Sequence, residues 1–147
     1  MSEPTVNFSL TVKDGNKALD FYAKAFGAKE LYRMPTPAGG VAHAEFQIGN
    51  SKIYLSDESE DWHAFAMPEG AKASCLFSIA VEGCDEAFRK AIDVGAEALN
   101  EPADMFWGAR YAMVRDPFGY RWALTQVVEE LTPEEMDRRA KEAMGVV

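Results

Sequence analysis

The strongest constraint on the fold of this chain is an internal repeat. The segment FSLTVKDGNKALDFYAKAFGAKEL, which begins at Phe8, aligns with FSIAVEGCDEAFRKAIDVGAEAL, which begins at Phe77. At a constant offset, Phe8, Ser9, Val12 and Ala18 match Phe77, Ser78, Val81 and Ala87. After one deletion, Gly27, Ala28 and Leu31 match Gly95, Ala96 and Leu99. Self-similarity of this kind indicates two copies of one supersecondary unit.

Each copy is predicted to fold as βαβββ. Alternate residues are apolar in FSLTV and FSIAV, which indicates an opening strand with one buried face. An amphipathic helix follows in each copy and is expected to end at Gly27 or Gly95. Two alternating stretches then form a hairpin, which in the second copy turns at 116–119, an Asp-Pro-Phe-Gly sequence typical of a type I turn. Short strands are expected between helix and hairpin, at 29–34 and 97–101.

The predicted fold class is therefore α+β, with tandem βαβββ modules whose curved mixed sheet forms a cup within one domain, residues 1–147. The expected parts are module one at 5–57, a linker at 58–73, module two at 74–127 and a C-terminal helix at 132–144. For that helix, Thr132 is the expected N-cap and Glu135 its capping-box partner. The acidic linker carries His63, a surface residue, and two aromatics that either cover the cup or pack beneath the linker, Trp62 and Phe65.

Alternation along the strands also predicts which side chains point away from the helices. In module one these are Asn7, Ser9, Thr11, His43, Glu45, Gln47, Tyr54 and Ser56. In module two they are Leu76, Ser78, Tyr111, Met113, Ala123 and Thr125. A solvent-facing sheet usually carries many Lys and Glu residues, whereas this face is richer in Ser, Ala and Tyr. We therefore expect it to line a concave ligand cavity.

Composition and charge argue against several kinds of partner. Hydrophobic residues make up 48% of the chain, enough for a sizeable core, and the net charge of −9 disfavours nucleic acid or an anionic membrane as partner. No apolar run approaches the roughly 18 residues of a membrane helix, and the N-terminal sequence is not that of a signal peptide. Cys75 and Cys84 have no metal-type spacing and are expected to be buried, which fits a reduced, cytoplasmic protein.

Four motifs combine with the repeat to suggest a known superfamily. They are FYxxxFGA at 21–28, FWGxRY at 106–111, DPFGxxW at 116–122 and TPEEMxRR at 132–139. Together with the tandem βαβββ plan, they resemble the vicinal oxygen chelate superfamily, in particular its glyoxalase/bleomycin-resistance-like branch. The resemblance covers nearly the whole chain and is specific for the fold, but not for one reaction. It also implies a homodimer with the cavity shared between chains.

The resemblance allows the metal positions of the superfamily to be compared with this chain. Metal-using members take His, Glu or Gln ligands from four cavity-facing strand positions. The matching positions here hold Asn7, Tyr54 or Ser56, Leu76 and Ala123. Leu76 and Ala123 cannot bind a metal, and Asn7 is a poor ligand for zinc, nickel or iron. We therefore expect no metal and no cofactor at this site.

His43 and Glu45 are two residues apart on a strand, so their side chains point the same way. This spacing suits a metal or an acid–base pair. It suits equally a hydrogen-bonded pair on the sheet, or a ligand contact without chemistry.

An aromatic segment before a predicted strand is the second candidate. Phe106, Trp107, Gly108 and Arg110 follow Pro102 and are expected to lie on a loop. Adjacent large aromatics on a loop indicate either a wall that stacks on a planar or cationic ligand, or a plug between the modules. In the second interpretation Arg110 pairs with an acid.

Two functions follow from these candidates. The first is a non-metal protein that binds a small molecule and sequesters a cationic or aromatic ligand, as the resemblance to bleomycin-resistance proteins implies. The alternative is a metal-dependent lyase, isomerase or dioxygenase, with a metal held by His43 and Glu45. No catalytic residue is assigned. The candidate ligand-binding residues are Asn7, Ser9, His43, Glu45, Tyr54, Phe106, Trp107, Arg110, Tyr111 and Met113.

Overall fold

The structure is a computed structural model, which describes residues 3–145, and its helices and strands follow the repeated order expected from the sequence. The first copy comprises β1 (Phe8–Val12), α1 (Gly15–Phe26), β2 (Lys29–Pro35), β3 (Val41–Ile48) and β4 (Ser51–Asp57). The second comprises β5 (Leu76–Ala80), α2 (Cys84–Asp93), β6 (Glu97–Asp104), β7 (Ala109–Arg115) and β8 (Arg121–Val127), and α3 (Pro133–Ala143) follows. The α+β class and the two βαβββ copies are confirmed.

The chain divides into two compact units, of which the first ends at Lys72 and the second begins at Ala73. Each unit contains a four-stranded mixed sheet, with strand order β1-β4-β3-β2 in the first and β5-β8-β7-β6 in the second. The opening strand runs parallel to its neighbour, and the other pairs are antiparallel. Within the described part of the chain, no helix has the length and apolar character needed to cross a membrane.

The core of the first unit lies between α1 and one face of its sheet. Tyr22 is fully buried and stacks on Phe46 with ring centroids 5.4 Å apart. Gly27 ends α1 in the left-handed conformation, as expected, and its N–H donates to the carbonyl of Ala23. Phe8 is 57% exposed, so burial along β1 begins only at Leu10.

The core of the second unit is built around Trp122, which is 2% exposed because alternation along β8 places it with Leu124 on the helix side of the sheet. Its indole Nε1 donates to Oδ2 of Asp116, 2.8 Å away, and Asp116 is itself 3% exposed. The other oxygen, Oδ1, accepts from the backbone N–H groups of Phe118 and Tyr120 at 2.9 and 3.0 Å. The predicted turn therefore also anchors the largest core side chain through its first residue.

Equivalent side chains hold the start of the helix in each unit. Oδ1 of Asp57 accepts from the backbone N–H of Gly15 at 2.7 Å, and Oε1 of Gln126 accepts from that of Cys84 at 3.0 Å. Both acceptors come from the strand beside the opening strand, so the repeat extends to helix capping. Cys84 is buried, whereas Cys75 is exposed and the prediction of a buried Cys75 is wrong.

The outer strands β2 and β6 pair with irregular register. In β2 the register shifts between Glu30 and Tyr32 and again between Met34 and Pro35. In β6 it shifts on both sides of Asn100, and Pro102 lies in the second irregular stretch. Among residues 3–145, each of these strands pairs with a single neighbour, so each forms an edge of its sheet.

Candidate functional site

The helix-free face of the first sheet brings five ring-bearing and charged side chains together. Tyr54 on β4 lies opposite Glu45 on β3, and Tyr32 on β2 also pairs with Glu45. The His43 ring lies 5.3 Å from that of Tyr54 and 6.5 Å from that of Tyr32, centroid to centroid. Lys52 completes the group, which we call the acid–ring cluster: Tyr32, His43, Glu45, Lys52 and Tyr54.

Glu45 carries the negative charge of this cluster. Its Oε2 lies 3.1 Å from Nε2 of His43, and its Oε1 lies 3.3 Å from Nζ of Lys52. These two hydrogen bonds, that of His43 first, lower the pKa of Glu45 below its ordinary value. The carboxylate is therefore ionised at neutral pH, and 26% of its side chain is exposed to an approaching molecule.

Asn7 and Ser9 lie on the same face as the cluster. Ser9 is the register partner of Tyr54, and Nδ2 of Asn7 donates to the carbonyl of Lys52 at 3.3 Å. The structure therefore groups five of the ten candidate residues on one sheet face of the first unit: Asn7, Ser9, His43, Glu45 and Tyr54.

A second group of aromatic side chains lies in the second unit. The ring centroids of Phe106 and Trp107 are 5.1 Å apart, and those of Trp107 and Tyr111 are 5.7 Å apart, both in edge-to-face geometry. We call the segment 106–108, together with the ring of Tyr111, the aromatic loop. Phe106 and Trp107 are 37% and 36% exposed, so their rings are available to a ligand. Met113 lies two residues beyond Tyr111 on the same face of β7.

The structure places Arg110 on the other side of β7 from Tyr111 and Met113. Arg110 lies within the strand and on the same face as Ala112, towards α2. Its guanidinium donates to Asp85 on α2 and to Asp104 on β6, at 3.0 Å in each case. This is the acid-paired alternative that the sequence left open, and it separates Arg110 from the aromatic loop.

The backbone of the aromatic loop is attached to the segment that precedes α3. The carbonyl of Gly108 accepts from the N–H groups of Val128 and Glu129 at 2.9 and 3.1 Å. The guanidinium of Arg139, on α3, donates to both carboxylate oxygens of Glu129 and to the carbonyl of Phe106. The C-terminal helix thereby positions the loop.

Glu135 links Arg139 to the start of α3. Thr132 caps the helix as predicted, by accepting from the N–H of Glu135 at 3.1 Å. The Glu135 carboxylate, however, accepts from Arg138 and Arg139 rather than closing the predicted capping box. The hydrogen bonds from Arg138 and then Arg139 lower the pKa of Glu135 to about 2.

Replacing Arg139 with alanine is expected to detach α3 from the aromatic loop. Amide hydrogen exchange across 133–143 should become faster, because the bonds to Glu129 and Phe106 are lost. Arg138→Ala is the matched control, since Arg138 bonds Glu135 and Glu142 but neither Glu129 nor Phe106. Equal exchange in both variants would contradict the assignment.

The same attachment has a defined pH dependence. The pKa of Glu135 is depressed in the folded chain, so the stabilisation that its carboxylate gives to α3 is complete above about pH 4.5, the ordinary pKa of this group. That stabilisation is lost as the pH falls through about 2. Exchange measured at pH 7, 4 and 2 should therefore show α3 protected at the first two values and released at the last.

Sequence reasoning missed four charged or aromatic residues on these faces: Tyr32, Lys52, Arg115 and Arg121. Alternation places Lys52 with Tyr54, and Arg115 and Arg121 with Met113 and Ala123, so the signal was present. Tyr32 could not be placed that way, because the irregular register of β2 breaks the alternation. Trp62 and Phe65 are both exposed, at 84% and 64%.

A cavity of about 410 Å³ lies on the opposite side of the first sheet, between α1 and β2. Its lining includes Asn16, Arg33 and Phe46. Arg33 donates to Oδ1 of Asn16 at 2.7 Å and also pairs with Glu30, so these three polar lining residues are bonded to one another. It shares no residue with the acid–ring cluster.

Comparison with known proteins agrees with this architecture. The family described as "Glyoxalase/Bleomycin resistance protein/Dioxygenase superfamily" matches residues 5–124. The chain belongs to this superfamily. The Mycobacterium bovis protein Mb0911c is 34% identical to it over 137 residues, which cover 91% of this chain and 90% of that protein.

Two solved structures of the superfamily fold illustrate its range. TioX from Micromonospora is 25% identical, with a TM-score of 0.67, and the match covers 84% of this chain and 99% of TioX. The fosfomycin resistance protein FosX from Listeria monocytogenes, in complex with Mn(II) and sulfate, is 19% identical, with a TM-score of 0.68. That match covers 95% of this chain and 99% of FosX, and it concerns the fold alone.

The side chains at the superfamily's metal positions do not fit a metal in this member. Leu76 and Ala123 lie on the helix-free face of the second sheet as register partners of Arg121 and Ser78, but hydrocarbon side chains supply no ligand atom. Ala123 is also fully buried rather than lining an open surface. Among residues 3–145, no three His, Cys, Asp or Glu side chains converge, so His43 and Glu45 lack a third such ligand.

Proposed function

We propose that this superfamily member binds a small organic molecule and holds a planar aromatic or cationic group at the acid–ring cluster, without a metal. The observation that carries the proposal is the ionised Glu45 carboxylate flanked by the rings of Tyr32, His43 and Tyr54 on an accessible sheet face. A cation that takes the place of Lys52 beside Oε1 is attracted both by the carboxylate and by the faces of the aromatic rings. A planar group gains stacking contacts with the same rings.

The aromatic loop supports the proposal independently in the second unit. Phe106 and Trp107 keep about a third of their surface exposed, although burial of large rings stabilises a protein. Their edge-to-face contacts and the attachment of the loop to α3 hold the rings in place before any ligand arrives. A preorganised aromatic surface loses little conformational entropy on binding.

The rival function is metal-dependent catalysis. FosX, which shares the fold, was solved with Mn(II), and the superfamily includes dioxygenases. In this chain the chemistry would depend on His43 and Glu45, whose side chains are already bonded to each other. The metal content of protein purified without added metal separates the two functions.

The proposed function is tested by titrating chelator-dialysed protein with proflavine, a planar aromatic cation. Saturable binding is expected, and Glu45→Gln and Tyr54→Leu should each weaken it roughly tenfold, because each removes one source of attraction. Glu30→Gln is the matched control, since Glu30 also lies in the first unit but lines the cavity on the helix side.

Two results would overturn the proposal. One is a stoichiometric transition metal in protein purified without added metal. The other is proflavine binding that needs added Mn(II), or that Glu30→Gln weakens as strongly as Glu45→Gln does.

A further inference from the structure

Two arginines lie directly opposite each other on the helix-free face of the second sheet. Arg115, at the end of β7, and Arg121, at the start of β8, are register partners on either side of the 116–119 turn. Both share the face that carries Met113 and Ala123. Side chains that face each other across neighbouring strands have Cβ atoms about 5 Å apart, and like charges in this arrangement destabilise a sheet.

The charge of this pair is only partly compensated. Nη1 of Arg115 donates to Oε2 of Glu97 at 3.0 Å. Nη2 of Arg121 donates to the carbonyl of Cys75 at 3.3 Å, and its Nη1 lies 3.9 Å from the sulfur of Met113. Among residues 3–145, Glu97 therefore pairs with Arg115 and no carboxylate pairs with Arg121, in a chain whose overall net charge is −9.

Each arginine also retains a buried donor that has no partner within the described part of the chain. The Nε atoms of Arg115 and Arg121 are both buried, and neither has a hydrogen-bond partner among residues 3–145. Buried polar groups in folded proteins are nearly always paired, and a guanidinium cannot shed its charge to avoid the cost. Because the Nε atoms are buried, an acceptor from outside the chain can reach only the accessible remainder of each guanidinium; the Arg115 side chain is 30% exposed, and Arg121 is half-buried.

We propose that Arg115 and Arg121 form a binding site for the oxyanionic group of a small molecule: a phosphate, a phosphonate or a carboxylate. The planar fork of a guanidinium matches the spacing of oxygens in such groups, and the bonds are strengthened by charge. The inference goes beyond the proposed function, because it assigns a group of opposite charge to residues of the second unit alone. Either can fail without the other.

The test measures thermal unfolding of the full chain, freed of metal by a chelator, in sodium phosphate, methylphosphonate or acetate, with sodium chloride keeping the ionic strength constant. At least one oxyanion should raise the midpoint saturably, because a ligand that binds only the folded state stabilises it. A response to phosphate and methylphosphonate alone identifies a tetrahedral anion, and a response to acetate alone identifies a carboxylate.

Substitutions assign the effect to the pair. Arg115→Gln and Arg121→Gln should each reduce the oxyanion affinity by roughly tenfold or more, because each loses a charge-assisted donor set. Arg89→Gln, at an exposed position of α2, removes the same charge from the same unit and should change nothing. Proflavine binding should be unaffected in all three variants.

A final variant distinguishes binding from a structural role. Arg121→Met removes the like-charged neighbour and the unpaired donor, so in chloride its unfolding midpoint should equal or exceed that of the unmodified chain. A marked fall of that midpoint would assign the pair a structural role and overturn the proposal. So would an unmodified chain that none of the three oxyanions stabilises beyond chloride.

Discussion

Replacing Asp116 with alanine is expected to lower the free energy of unfolding by about 3 kcal/mol, since one buried carboxylate accepts three hydrogen bonds. The indole N–H of Trp122, which is 2% exposed, would be left without this acceptor in the core. The N–H groups of Phe118 and Tyr120 would lose the same carboxylate, so the turn between β7 and β8 would be loosened as well. Urea denaturation followed by tryptophan fluorescence measures the loss.

Two further variants test this explanation. Asp116→Asn keeps an oxygen for the turn but sets an amide N–H against the indole N–H. Its free energy of unfolding should therefore lie between that of the alanine variant and that of the unmodified chain. Asp93→Ala removes an exposed acid at the end of α2 and should leave stability within about 0.5 kcal/mol. An Asp116→Ala variant as stable as Asp93→Ala would refute the role of the carboxylate.

Replacing Gly108 with alanine is expected to lower the free energy of unfolding by about 2–3 kcal/mol and to disturb the aromatic loop, for two separate reasons. The residue has a φ of +84°, which an L side chain rarely adopts, and an added Cβ would lie 2.5 Å from the carbonyl oxygen of Glu129. That contact can be relieved only if the segment at Glu129 moves away. The hydrogen bonds that Val128 and Glu129 donate to Gly108 would then be weakened.

Gly39→Ala separates the two causes. Gly39 has a φ of +90° but open space around an added Cβ, so its alanine variant should lose only about 1 kcal/mol, from backbone strain. The combined emission spectrum of Trp107 and Trp122, measured with Trp62 replaced by phenylalanine, should shift in Gly108→Ala and not in Gly39→Ala. Equal losses of stability and unchanged emission in both variants would contradict the contact.

The repeat, the strands, α3 and the burial of Trp122 were predictable because each follows from periodicity or from local capping chemistry. The interactions of Asp116 were not, because alternation places a side chain on a face without saying what it will bond. Glu135 is a similar case: two nearby guanidinium groups compete with the N–H of Thr132 and form stronger, charge-assisted bonds.

The candidate site was predictable on the first sheet and less so on the second. His43, Glu45 and Tyr54 lie in regular strands, where alternation is reliable. Arg110 was expected on a loop, but β7 begins at Ala109, and this earlier start sets Arg110 on the side that faces α2. A shift of one or two residues in the strand boundary is enough to decide whether Arg110 lies on a loop or in a strand. Such boundaries are only weakly encoded in a sequence.

The irregular register of β2 and β6 has a consequence for how this chain can associate. A regular edge strand offers a row of free N–H and C=O groups, on which a second chain can add a strand and start aggregation. Bulges twist that row out of line, and Pro35 and Pro102 each remove a donor from it. These two edges are therefore protected against strand addition. The homodimer, which stays a prediction, would have to form through other surfaces.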